Sequence, residues 1–193
     1  QRDKDIFFLS YKRDAALVTL NPIRMIAETI ASAKRILRFD FKKIENWSWT
    51  LISISGVFTY GGFYRLSNKV LKYAESFTDK NSFQELFPLE HFRTLHNNYS
   101  GRWKDIQDTD ELLLDENLKT GQFFNVTGQL GILGAIRTKQ GKFNRAHENI
   151  GKLSKIADNY EYKIAKEYSL LLEIWLSYYC RKLNEAQKSL ETW

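Results

Sequence analysis

Histidine is the residue in this sequence best suited to metal binding or proton transfer, yet the three histidines are poorly placed for either. His91 and His96 are five residues apart. On a helix they would point about 140° away from each other and could not share an ion. His147 follows Ala146, which falls on a predicted buried face, so His147 lies on the outer side of its helix. We interpret all three as packed or solvated side chains and expect no metal site.

Cysteine chemistry is equally restricted, because Cys180 is the only cysteine. It lies in an apolar stretch, which is typical of a small core residue rather than a nucleophile. A single cysteine excludes a disulfide within the chain and favours a reducing compartment, so we expect a cytoplasmic location. Three Asn-x-Ser/Thr sequons, at Asn46, Asn98 and Asn125, point weakly the other way, and we interpret them as chance matches.

Glycines and acidic residues are the remaining candidates for a phosphate-binding loop or for acid–base catalysis. Gly128, Gly131 and Gly134 are spaced by three. This places them along one helical stripe, which suits close helix packing rather than a phosphate-binding loop. Carboxylates that could act as general acid and base fall on a predicted exposed helix and are interpreted as a solvated face: Asp108, Asp110, Glu111, Asp115 and Glu116. We therefore expect no catalytic residue, no cofactor and no enzymatic activity.

Charge allows two interpretations. The net charge is +6, from 29 basic and 23 acidic residues. Part of the excess is concentrated at Lys34, Arg35, Arg38, Lys42 and Lys43. This cluster could bind nucleic acid or anionic lipid, or it could be a solvated helix end. The second interpretation is favoured because basic and acidic residues are interleaved elsewhere. No apolar run is long enough to span a bilayer, so we expect no membrane partner.

The elements that must position these residues are helices, because apolar residues recur every forty positions. One column contains Ile23, Phe63, Trp103, Phe143 and Leu183, and further columns follow three, seven and ten residues later. Every member except Asp110 is apolar, and these offsets lie on one face of a helix. A period of this length is typical of stacked helix pairs. We expect an all-α superhelix, or solenoid, of about five antiparallel helix pairs, forming one domain over residues 1–193.

The pattern predicts about ten helices. They cover approximately 7–20, 22–37, 41–58, 62–77, 89–99, 102–117, 121–139, 143–157, 160–180 and 184 onward. Residues 83–87 are expected to form a short turn before Pro88. In the helix from Phe143, we expect Phe143, Ala146, Ile150, Leu153 and Ala157 to face inward. The β-branched and aromatic residues of 51–60 also permit a strand. Because the chain starts at Gln1 and ends at Trp193 within a predicted helix, we expect it to be part of a longer protein.

The best repeat runs from Thr127 to Tyr160 and resembles the tetratricopeptide family. Leu133-Gly134, followed by Gly141-x-Phe143-x-x-Ala146, matches the family pattern at its spacing. The period is about forty rather than the thirty-four residues usual for the family. Stretched repeats of this kind are similar to the helical regions of large bacterial signalling proteins. Examples are regulatory ATPases of the signal-transduction class, cyclase-linked ATPases and the maltotriose-responsive transcription activator.

The resemblance implies that the first helix of each pair lines a concave groove. The family's inner-face pattern then assigns to the groove Phe58, His91, Asn98, Thr138, Tyr168, Trp175 and Tyr179. An aromatic groove would suit a peptide, a partner helix or a sugar-like ligand. Alternatively, Trp175, Tyr178 and Tyr179 pack against a neighbouring repeat. The peptide-carboxylate clamp of some family members needs Lys and Asn where this chain has Gly131 and Ala135, so that clamp is not expected.

These expectations lead to one main functional hypothesis and two alternatives. The main hypothesis is a non-catalytic interaction or sensor module within a signalling protein, whose groove binds a partner protein, a peptide or a neighbouring domain of the same chain. The first alternative is a nucleic-acid-associated segment of a transcription regulator that uses the basic residues 34–43. The second is a small-molecule sensor domain.

Overall fold

The computed structural model describes residues 9, 13, 17, 21–36 and 47–191. All regular structure within these residues is helical and none is strand, which confirms the predicted all-α class. The α-helices of the described part are α1 Pro22–Ile36, α2 Trp47–Tyr60, α3 Tyr64–Glu75, α4 Phe83–Tyr99, α5 Glu111–Lys119, α6 Phe123–Lys139, α7 Phe143–Tyr160, α8 Lys163–Tyr179 and α9 Leu183–Glu191. None of these helices combines the length and apolar character needed to cross a membrane.

The chain divides into two compact units, Gln1–Gly101 and Arg102–Trp193. In the N-terminal unit, α2 packs against α1, α3 and α4, around a core that includes Ile52, Leu71, Ala74 and Leu89. In the C-terminal unit, α6 packs against α5, α7 and α8, and α8 also packs against α7 and α9. Ile106, Leu133 and Ile136 form one core cluster of this unit. A single repeat domain over 1–193 stays a prediction.

Helices α5 to α9 are joined by one kind of turn that recurs at intervals of twenty residues. Its key residue has a positive φ at Gly121, Gly141, Glu161 and Arg181. At all four, the amide of the following residue donates to the carbonyl five residues before it; the Lys142 amide, for example, lies 2.9 Å from the Arg137 carbonyl oxygen. This is the Schellman turn that ends many helices. Two helices and two such turns account for the forty-residue period.

Residues 83–87 are helical, so the prediction of a separate turn before Pro88 is wrong. Helix α4 begins at Phe83 and contains Pro88 in its interior. Proline there removes one helical hydrogen bond. Phe87, Pro88 and Leu89 are all buried, and this burial offsets the lost bond.

The helix predicted over 102–117 is also wrong, because the chain is interrupted after a short 3₁₀ turn at Trp103–Asp105. Ile106 is extended and buried, and α5 starts only at Glu111. Asp110 accepts a hydrogen bond from the Leu112 amide at 2.8 Å and thereby caps α5. The one polar member of the forty-residue columns is therefore the residue that starts a new helix.

The first apolar column does not face inward, which corrects the prediction for Phe143. Phe143 is 37% exposed and Trp103 44%, and Phe63 and Leu183 are exposed still further. These residues lie directly after the turns, at or beside a helix N-terminus, where the neighbouring helices no longer cover them. The rest of the predicted face of α7 is buried, as expected: Ala146, Ile150, Leu153 and Ala157.

Some predictions fall partly or wholly outside the described residues. They include most of the helix over 7–20 and the start of the helix over 41–58. Lys34 and Arg35 belong to α1, whereas Arg38, Lys42 and Lys43 lie outside the described range. The strand that residues 51–60 would permit does not form, since these residues belong to α2.

Candidate functional site

The seven residues predicted to line a groove are divided between the two units. Phe58, His91 and Asn98 belong to the N-terminal unit. Thr138, Tyr168, Trp175 and Tyr179 belong to the C-terminal unit. Each set is therefore described within its own unit.

The N-terminal set takes part mainly in packing. Phe58 is half-buried on α2, and its ring centroid lies 6.5 Å from that of Phe63. His91 is buried on α4, with its ring 5.3 Å from Phe92. Asn98 is half-buried near the end of the same helix. These side chains do not form an open aromatic surface, and the burial of His91 corrects its assignment to the groove.

The C-terminal set contains one buried residue and three exposed aromatic residues. Thr138 is buried, and its hydroxyl donates to the Gly134 carbonyl at 2.9 Å, so it does not line a groove. Tyr168, Trp175 and Tyr179 are 37–48% exposed on α8. The Nζ atom of Lys139 lies 5.7 Å from the centroid of the Trp175 ring, which is within the range of a cation–π interaction. Three aromatic side chains and one cation thus share an accessible surface.

Glycines on α6 explain how α8 comes close enough to create this surface. A Cβ atom at Gly134 would lie 2.6 Å from Leu172 Cδ1, and one at Gly131 would lie 3.2 Å from Tyr168 Cδ1. A side chain at either position would force Leu172 or Tyr168 to shift from its present packing. The interpretation of this glycine stripe as a packing feature is confirmed at both positions.

Sequence reasoning missed a set of exposed residues at the turns of the C-terminal unit. Arg102–Trp103, Lys142–Phe143 and Lys182–Leu183 each place a cation directly before an exposed apolar side chain. The signal was available, because basic residues at 102, 142 and 182 follow the forty-residue spacing of the apolar residues that come after them. We call the surface formed by residues 102–105, 139–148 and 179–185 the turn edge.

A buried polar cluster in the N-terminal unit has the residue types of a nucleophile and its base. Ser67 Oγ lies 2.7 Å from Thr59 Oγ1 and 3.1 Å from His96 Nδ1. The three side chains come from α2, α3 and α4, and all are buried. A substrate has no access to Ser67 in this arrangement. The cluster therefore ties three helices together, and of the two alternatives left open for His96, packed or solvated, the structure shows the packed one.

The pKa shifts reflect ion pairing and burial rather than a catalytic arrangement. A hydrogen bond from Lys152 at 2.8 Å lowers the pKa of Glu111, and Glu116 raises the pKa of Lys119 in the same way. Burial raises the pKa of the Tyr162 phenol. Across residues 21–36 and 47–191, together with the helical residues 9, 13 and 17, His, Cys, Asp and Glu form no group of three that could hold a metal ion.

The C-terminal unit thus presents a candidate recognition surface in the α8 aromatic set with Lys139, continued by the turn edge. This surface is suited to binding rather than to a reaction, because it consists of flat apolar rings beside positive charges. Comparison with known proteins finds no matching family model, no similar curated protein and no similar solved structure.

Proposed function

We propose that this chain is a non-catalytic protein-interaction module built from tetratricopeptide-like repeats, with about five antiparallel helix pairs stacked as a solenoid. Two observations support the repeat. The Schellman turns follow one another at twenty-residue intervals from Gly121 to Arg181. Helix α8 packs on both helices of the preceding pair, α6 and α7, as nearest-neighbour stacking requires.

The proposed partner is a peptide, a helix of another protein or a neighbouring domain of the same chain. The observation that carries this proposal is the exposure of Tyr168, Trp175 and Tyr179 on a single helix. Positions i, i+7 and i+11 lie on one side of a helix. Large aromatic side chains contribute most of the binding energy in many protein interfaces when a partner removes them from water.

Lys139 adds selectivity to this aromatic surface. Its ammonium group is held over the Trp175 ring, where it can also pair with a carboxylate of the partner. A partner that offers an apolar side chain to the rings and an acid to Lys139 would satisfy both groups. The alternative roles in nucleic-acid binding through residues 34–43 and in small-molecule sensing gain no support from the described residues.

A phage-displayed peptide library, selected on the wild-type chain, tests this function. We expect the selected peptides to bind the double variant Trp175→Ala/Tyr179→Ala more weakly by roughly thirtyfold, the effect of losing a binding hot spot. Phe124→Ala is the matched control, because Phe124 is an exposed aromatic residue near the start of α6, far along the chain from the α8 set. Its affinity should remain within about twofold of wild type. Failure to enrich any peptide, or equal binding by all three proteins, would contradict the proposal.

A further inference from the structure

We infer that the turn edge of the C-terminal unit docks an acidic peptide segment that also carries apolar side chains. This inference rests on the proposed interaction function and specifies the chemistry of the partner. Its starting point is a threefold repeat in which a cation precedes an apolar residue: Arg102–Trp103, Lys142–Phe143 and Lys182–Leu183. All six side chains are exposed.

Contacts within the unit show that the turn edge is continuous. The first and second turns meet where Gln140 Nε2 donates to the Trp103 carbonyl at 3.4 Å. The second turn reaches α8 where Lys139 approaches the Trp175 ring at 5.7 Å. Helix α8 then ends at Tyr179, directly before the third turn at Arg181. The three repeated pairs therefore belong to one strip of surface.

The basic side chains at the ends of the helices in this unit are unevenly distributed, and most of them lie on the turn edge. Residues 102–105, 139–148 and 179–185 contain seven basic and three acidic side chains. At the other end of the same helices, residues 115–123 and 158–167 contain three basic and five acidic side chains. Positive potential at one end attracts and orients an anionic partner.

Helix stability alone does not explain Lys142, whereas Lys182 pairs with Glu185 of α9 at 3.1 Å. Lys142 lies after the C-terminus of α6, which favours a cation, but it also occupies the N-cap position of α7, where the helix dipole disfavours one. The two effects oppose each other. No acidic residue occupies the first turn of α7 to compensate. A partner with negative charge would provide the compensation that the chain lacks at this turn.

The apolar members of the turn edge favour a peptide over a nucleic acid. Leu183 offers no flat ring on which a base could stack. Asp105 and Glu185 lie within the strip and would repel a uniform line of phosphates. A peptide can place its carboxylates opposite Lys142 and its apolar side chains against Trp103, Phe143 and Leu183, so that it matches both kinds of group.

Fluorescence anisotropy with a short labelled peptide of alternating glutamate and leucine tests the inference on the full chain. The double variant Lys142→Glu/Lys182→Glu should weaken binding roughly tenfold, and added salt should weaken binding to the wild type. Lys166→Glu is the matched control, because it reverses an exposed charge of the same unit outside the turn edge. Its affinity should change by less than about twofold. Circular dichroism of each variant verifies that the helices are retained.

Three results would overturn the inference. One is equal binding of the acidic peptide by the wild type and by Lys142→Glu/Lys182→Glu. Another is equal binding of a peptide with lysine in place of every glutamate. The third is tighter binding, lost in the same double variant, of an oligouridylate or of vesicles containing phosphatidylserine. If the peptides selected from the library depend on Trp175 and Tyr179 but not on Lys142 and Lys182, the proposed function stands and this inference fails.

Discussion

Arg137 and Asp108 form an ion pair across twenty-nine residues of sequence, in which Nε and Nη2 of Arg137 lie 3.1 and 2.8 Å from a single carboxylate oxygen. Arg137 is only 5% exposed, and its Nη2 also reaches the Ile106 carbonyl at 3.3 Å. The pair fixes the extended segment before α5 against α6. This extended segment, bound to Arg137, stands where a continuous helix was predicted over 102–117.

Arg137→Met should destabilise the C-terminal unit by about 2–3 kcal/mol, because the apolar side chain removes the hydrogen bonds that hold the extended segment. Arg145→Met is the control, since Arg145 forms an exposed pair with Glu148 at 3.3 Å. It should cost less than about 0.5 kcal/mol. Urea denaturation of the two variants and the wild type measures both values. A cost for Arg137→Met as small as that for Arg145→Met would show that the pair contributes little.

Replacing the glycine of a Schellman turn should change the free energy of unfolding only through the backbone conformation that the turn requires. Gly141 has φ of +71°, and a Cβ atom there would meet nothing within 4 Å, so space is not limiting. Gly141→Ala should therefore cost about 1 kcal/mol from the left-handed backbone conformation. Gly151→Ala, in the interior of α7 and also in open space, should stabilise by about 0.5–1 kcal/mol. Thermal denaturation should therefore give a lower melting temperature for Gly141→Ala and a higher one for Gly151→Ala. A shift of the same sign in both variants would contradict the turn assignment.

Two turns of the same kind carry a side chain at the position that favours glycine. Glu161 has φ of 50° and Arg181 has φ of 59°. Replacing either with glycine should stabilise the unit by about 1 kcal/mol, because the left-handed conformation then carries no Cβ penalty. Glu185→Gly, an exposed helical position of α9, is the matched control and should destabilise by a similar amount. Chemical denaturation measures whether the free energy of unfolding rises in the glycine variants of the turns and falls in the control. A loss of stability in Glu161→Gly would contradict the argument.

Local patterns in the sequence were sufficient to predict the helical class and several helix ends. Gly141, the buried face from Ala146 to Ala157 and the glycine stripe at Gly131 and Gly134 all follow from spacing alone. The break before α5 did not follow, because it depends on Arg137, which is distant in sequence. Burial in three dimensions likewise removed His91 and Thr138 from the predicted groove. A periodic pattern identifies which residues are equivalent, but not which of them a neighbouring helix covers.

Stability at alkaline pH should depend on Tyr162. Burial raises the pKa of its phenol, so the folded chain favours the neutral form more than the unfolded chain does. The stabilising contribution is complete below the ordinary tyrosine pKa of about 10 and decreases as the pH rises above it. We therefore expect Tyr162→Phe to lose less stability than the wild type across this range, as measured by urea denaturation at several pH values. Tyr178→Phe, at a more exposed tyrosine, is the control and should follow the wild type. Parallel curves for all three proteins would contradict this prediction.

Phe143 and Ala146 occupy the same turn of α7 but should differ sharply in their tolerance of substitution. Ala146 is fully buried, so Ala146→Leu should overpack the contact between helices and cost about 1–3 kcal/mol. Phe143 lies next to the turn and is 37% exposed, so Phe143→Ala should cost only about 1 kcal/mol, well below the loss expected for a core phenylalanine. Urea denaturation of both variants measures the difference. A larger loss for Phe143→Ala than for Ala146→Leu would place Phe143 in the core and remove it from the turn edge.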